Sequence, residues 1–182
     1  MTDPRLTTDD YLRMAATLVP QELVFGYVRD APAPSWWHQD VVGDLYVCLR
    51  RHLTQTGAGR VCMSPIDVVL DHARGLVVQP DLVVISRARE HMIRDRVYGP
   101  PDLVVEVLSP NVRIGSLDER LSWFAQYGVR ECWLVHLPAR QVEIIRFADG
   151  MVRSREIVAG DEPIRSSVLE GFDRTLASII GW

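Results

Sequence analysis

Two stretches of this chain, Leu76–Ile85 and Asp102–Leu108, are apolar at almost every position. A strand that shows one face to water alternates polar and apolar residues, whereas a strand apolar on both faces has to be covered on both. The flanking segments read as the helices that supply the cover. From Trp37 or His38 to about Gln55, the residues Val41, Val42, Leu45, Leu49 and Leu53 recur at three- and four-residue steps. Ser116 opens another helix, with Glu119 placed to complete a capping box, and Gly128 closes it. Thr7-Thr8-Asp9-Asp10 caps an N-terminal helix bearing Tyr11, Leu12, Met14, Ala15 and Leu18, which Pro20 stops, and a short helix lies near Thr175–Ile180. Glu22–Val28, Arg60–Leu70 and Glu131–Leu137 read as further strands, and Gln141–Phe147 with Met151–Val158 as a hairpin around Asp149-Gly150. The polar run Arg87–Arg96 reads as helix or loop. With no repeat and no linker, the expectation is one α/β domain over residues 1–182: a central mixed sheet flanked by helices, with an added C-terminal hairpin.

Composition narrows the chemistry. All 20 basic residues are arginine, so a lysine base, a lysine Schiff base and a phosphate-loop lysine are excluded. The net charge of −4 gives no global attraction to nucleic acid, though a local groove or a metal-bridged phosphate is compatible with it. Unbroken apolar runs such as Leu82–Ile85 fall far short of the ~20 residues a membrane span needs. The start, Met1-Thr2-Asp3-Pro4, lacks the basic and apolar regions of a secretory signal. Cys48, Cys62 and Cys132 are an odd set without close spacing, as expected of free core thiols in a reducing cytoplasm.

Two carboxylates interrupt the apolar strands: Asp81, directly after Pro80, and Glu106. A buried carboxylate is costly unless it is paired, hydrogen-bonded or bound to metal. Asp102, Val104, Glu106 and Leu108 share one strand face. Pro80 cannot donate to a ladder and marks an edge or bulge, a place where a side chain is often aimed into a site. From these residues alone, arginine pairing and a metal site are equally open.

Gln79-Pro80-Asp81-Leu82-Val83-Val84 followed by Pro101-Asp102-Leu103-Val104-Val105-Glu106-Val107-Leu108-Ser109-Pro110 resembles the PD-(D/E)XK nuclease superfamily, and more closely the Uma-two family of restriction-endonuclease-like proteins. The resemblance takes in Glu22–Val28, His38-Gln39, the helix Leu117–Tyr127 and Gly128–Val135. It implies a restriction-endonuclease-like core in which Asp81 and Glu106, with the main-chain carbonyl of Val107, bind Mg²⁺ or Mn²⁺. It implies hydrolysis of a phosphodiester, with DNA as the expected partner, in a homodimer. Glu22 matches a recurring acidic residue that completes or supports the site, and His38 is a further supporting candidate. The superfamily lysine two positions after the glutamate is Leu108 here. Within the family a lysine on the following helix stands in, and its position here is Arg120.

Arginine keeps its proton at working pH, so Arg120 is expected to stabilise charge rather than to act as a base. Turnover is then expected to be attenuated, and the alternative is an inactive nucleic-acid-binding or accessory protein retaining the fold. Arg120→Lys is expected to restore a titratable amine whose pKa a nearby dication lowers. No zinc-ligand spacing links the histidines and cysteines, and no nucleophile elbow is present. Trp36-Trp37 is expected at a core or interface more readily than at a base-stacking site, and the arginines at 87, 89, 94 and 96 on a solvated face more readily than on phosphate.

Overall fold

The computed structural model describes residues 5–15, 19–108 and 116–181. Leu18 and the Ser109-Pro110 end of the motif lie outside them. In chain order the elements are α1 (Thr8–Leu12), β1 (Gln21–Val24), β2 (Tyr27–Asp30), α2 (Trp36–Thr56), β3 (Gly59–Met63), β4 (Val68–Asp71), β5 (Leu76–Val78) and β6 (Leu82–Ser86). After a 3₁₀ turn at Arg87–Met92 follow β7 (Val97–Tyr98), β8 (Leu103–Leu108), α3 (Leu117–Tyr127), β9 (Glu131–His136), β10 (Gln141–Ala148), β11 (Met151–Ala159) and α4 (Leu176–Ile180).

The expected mixed α/β architecture is present, with its strands divided between two sheets. One has the order β2-β1-β5-β4-β7 and the other β11-β10-β9-β8-β6-β3. In the larger sheet β8 runs parallel to β9 and antiparallel to β6. The division explains where two expected strands break. Leu76–Ile85 parts at Gln79-Pro80-Asp81 into β5 and β6, and Arg60–Leu70 parts at Ser64-Pro65-Ile66-Asp67 into β3 and β4, one piece going to each sheet. Proline cannot donate to a ladder, so both breaks fall where the chain crosses between sheets.

Glu22–Val28 is likewise a hairpin rather than one strand. Its turn residues Phe25 and Gly26 have φ of 50° and 91°, the both-positive turn that matches strand twist. The expected C-terminal hairpin is present, and β10 pairs with β9 so that it extends the larger sheet. The capping box at Ser116 is half made: Ser116 Oγ accepts from the Glu119 N–H, while the Glu119 carboxylate reaches Arg29 at 3.3 Å. The N-terminal helix ends at Leu12, with Arg13 as its cap.

Each face of the larger sheet is closed by a different layer, as its doubly apolar strands require. On one face Leu82, Leu103, Val105 and Val107 pack with Val41, Leu45 and Leu49 of α2 and with Ile164, Leu169, Phe172 and Leu176 of the C-terminal segment. On the other, Val83, Ile85 and Val104 pack with Leu121 and Phe124 of α3 and with Val24, Val68 and Val78 of the smaller sheet. Alternation therefore sends Glu106, with Val104, toward the seam between the sheets. Glu22 alternates with Val24 and faces the same seam. Among the cysteines only Cys132 is buried; Cys62 is exposed on β3, unlike the core thiol expected. No helix among the described residues is long and apolar enough to cross a membrane.

Glu131 ties the C-terminal segment to this core. Its buried carboxylate accepts from Trp133 Nε1 at 2.8 Å, Ser166 Oγ at 2.6 Å, and Ser167 N and Oγ at 2.8 and 2.6 Å. Glu131→Ala strands those donors, so it is expected to cost about 3 kcal/mol and to lower the thermal midpoint by roughly 6–12 °C in a chain of this size. Circular dichroism melting checks this, with Glu131→Gln losing less.

Candidate active site

The β6–β8 register pairs Leu82 with Val105, so one more step sets Asp81 opposite Glu106 on a single sheet face. The neighbouring strands expected from sequence are thus observed. Pro80 ends the ladder and leaves Asp81 at its mouth, where Oδ2 accepts from the Val107 N–H at 2.7 Å. The N–H and C=O of one extended residue point to the same side, so the Val107 carbonyl projects toward Asp81 as well. Asp81 Oδ1 lies 3.1 Å from His38 Nε2. His38 is buried in the first turn of α2. Its Nδ1 has no hydrogen-bond partner among the described residues.

Arg120 enters the seam from α3, and Glu22 from β1. The guanidinium is 4% exposed and bridges two carboxylates that are each 2% exposed. Its Nε and Nη2 donate to Glu106 Oε1 at 3.1 and 2.7 Å, and its Nη1 donates to Glu22 Oε1 and Oε2 at 2.9 and 2.7 Å. Burial works to lower the pKa of Arg120, but the charges of Glu106 and Glu22 and their hydrogen bonds more than offset it and raise it further. Arg120 is therefore a fixed cation and no surface helix residue. A lysine here would feel the same two carboxylates, which hold an ammonium protonated and oppose the lowered pKa expected for Arg120→Lys.

Gln79 received no role from the sequence and has one here. Its backbone N–H donates to Glu22 Oε1 at 2.7 Å, and its side-chain Nε2 donates to Asp67 Oδ1 at 2.9 Å. Gln79 Oε1 is buried with no partner among the described residues. A polar side chain just ahead of Pro80-Asp81, after the apolar Leu76–Val78, was the available signal. Asp102, on the same strand stretch as Glu106, is structural. It accepts from the Ser86 N–H at 2.8 Å and pairs with Arg89 and Arg130 at 3.2 and 3.4 Å. Burial pushes its pKa up, yet the Ser86 bond and Arg89 bring it below the ordinary carboxylate value. Arg89 and, through Asp67 at 2.9 Å, Arg96 are thus committed to ion pairs.

The centre brings together Asp81, Glu106, Glu22, His38, Val107 and Arg120, every residue singled out from sequence. Glu106 and Glu22 face the guanidinium and Asp81 stands across the ladder from Glu106, so the four groups carry a formal charge of −2, which suits a divalent cation. Glu22 is turned to Arg120, and among the described residues no group of three or more His, Cys, Asp or Glu side chains stands in metal-holding geometry. Asp81 and Glu106, engaged here with His38, the Val107 N–H and Arg120, form a hard oxygen set with the Val107 carbonyl. That fits Mg²⁺, which takes one or two carboxylates and fills its octahedron with waters and phosphate.

The chain superposes on the crystal structure of a "putative nuclease belonging to DUF820" from Anabaena variabilis ATCC 29413 with a TM-score of 0.80, over 97% of this chain and 98% of that one. The two share 16% sequence identity, so the likeness establishes the fold, restriction-endonuclease-like as the sequence implied. No curated protein matches the chain. A family model described as "Uma2: Putative restriction endonuclease" matches residues 8–177. Matched across nearly its whole length, the chain belongs to the Uma2 family.

Proposed function

We propose that the chain is a divalent-metal-dependent endonuclease that hydrolyses phosphodiester bonds in DNA, with Asp81, Glu106 and the Val107 carbonyl holding Mg²⁺ or Mn²⁺. The observation that carries this reading is the register that sets Asp81 opposite Glu106 beside a fixed cation in a centre with surplus negative charge. The family description and the solved nuclease fold support it. A bound cation supplies polarisation of the phosphoryl group and a water acidic enough to attack at neutral pH.

The chain's own residues place the charges. His38 and the Val107 N–H orient Asp81, while Gln79 and Arg120 hold Glu22. Arg120 clamps Glu106 through one oxygen and keeps a fixed positive charge inside the acidic centre. It takes no proton from water, and loss of a general base typically costs ~10²–10⁴-fold, so turnover is expected to be slow. The absence of lysine, with Leu108 at the motif position, favours a second reading: a nucleic-acid-binding protein without turnover.

Incubation of supercoiled plasmid with Mg²⁺ or Mn²⁺ separates the two. Endonuclease activity gives nicked and linear DNA, abolished by EDTA. DNA binding without nicking under any divalent cation would transfer the assignment to the second reading.

A further inference from the structure

We propose that Trp36 and Trp37 form a stacking platform for unpaired nucleobases beside the acidic centre, so that the preferred substrate is single-stranded or locally open nucleic acid. The placement in a substrate path rests on the phosphodiesterase reading above; the platform itself is read from exposure and position. Trp36 and Trp37 are 76% and 71% exposed, so of the core or interface places expected from sequence, the core is excluded. Two adjacent indoles left this open mark a binding surface more strongly than a single exposed apolar side chain does.

Their position specifies the partner. The next residue is His38, whose Nε2 is 3.1 Å from Asp81, so both indoles sit on the turn of α2 that reaches the candidate site. The turn is held in place: Ser35 Oγ accepts from the His38 N–H at 3.2 Å, and the stiff Ala31-Pro32-Ala33-Pro34 loop precedes it. The backbone that carries the indoles is therefore already ordered before a ligand binds.

Charge points the same way. The chain carries a net charge of −4, and Arg89 and Arg96, two of the arginines open to a phosphate role from sequence, are paired with Asp102 and Asp67. Backbone attraction is the usual main source of nucleic-acid affinity. Where it is weak, stacking on aromatic faces is the remaining large contribution. Stacking needs bases free of their duplex neighbours, which sets the substrate class.

The test is fluorescence anisotropy of a labelled oligodeoxythymidylate and of a labelled duplex, in EDTA so that nothing is cleaved. Trp36→Ala and Trp37→Ala are each expected to weaken single-strand binding on the order of 5- to 100-fold. Phenylalanine at either position should recover part of the affinity. Duplex binding should change little, and an unchanged thermal midpoint shows that the variants fold. A parent without affinity for the single strand, or alanine variants that bind it as the parent does, would overturn the platform even if plasmid is nicked. Trp-dependent binding without nicking would sink the phosphodiesterase reading and leave the platform standing. If light scattering shows a dimer that Trp36→Ala or Trp37→Ala dissociates while oligonucleotide affinity stays the same, the surface belongs to a second copy and the proposal is wrong.

Discussion

Arg120→Ala is expected to cost about 3–5 kcal/mol of folding stability, because it leaves two buried carboxylates without their counter-charge. Glu22 and Glu106 are each 2% exposed, and the four hydrogen bonds from one guanidinium account for how both remain in the seam between the sheets. For a chain of this size the loss corresponds to a fall in thermal midpoint of roughly 6–20 °C. Arg120→Lys should fall between parent and alanine, since an ammonium keeps the charge but lacks the planar fork that spans two carboxylates. Adding Glu22→Gln to Arg120→Ala removes one stranded charge and should recover part of the loss. Calorimetric melting of the four proteins checks the series. Equal midpoints for parent and Arg120→Ala would show that the bridge contributes nothing to the fold.

Asp81→Ala and Glu106→Ala are each expected to reduce metal-dependent cleavage at least 10²–10³-fold, the scale of the several kcal/mol that metal polarisation supplies. The two should differ in stability. Glu106→Ala leaves Arg120 with Glu22 alone in a buried seam, whereas Asp81, at the mouth of the ladder, gives up the Val107 N–H and His38 bonds at a more open position. Equal losses of cleavage with unequal losses of stability, measured on plasmid and by melting, would separate the site's chemistry from its packing. Full cleavage by either variant would remove that carboxylate from the site.

The acidic centre was legible in the sequence because burying charge is expensive. A carboxylate inside a doubly apolar strand is conspicuous, and Asp81 and Glu106 were therefore visible, as was their placement on adjacent strands. Asp102, a third buried carboxylate just ahead of the same strand, is neutralised by Arg89 and Arg130, partners that no local sequence pattern announced. Helix α2 and the Asp149-Gly150 turn followed from periodicity and turn chemistry. The partition into two sheets did not, because Pro65 and Pro80 each announce a break without saying to which sheet the next residues go. The hairpin at Phe25-Gly26 was hidden by an aromatic residue at positive φ, which local preference disfavours and packing against Trp123 at 5.9 Å accompanies. The double engagement of Arg120 joins residues 98 and 14 positions apart, a distance over which no local pattern speaks. The exposure of Trp36 and Trp37 was equally a matter of which face of α2 the sheet covers.

Calorimetric titration of Mn²⁺ into the parent protein, with Asp81→Asn and Glu106→Gln beside it, tests most directly whether this acidic centre is a metal site. Both substitutions keep shape and remove one charge, so folding is perturbed less than by truncation. Saturable Mn²⁺ binding by the parent, lost or severely weakened in each variant, is the expected result. Identical isotherms for the three proteins, or no binding by the parent, would contradict it.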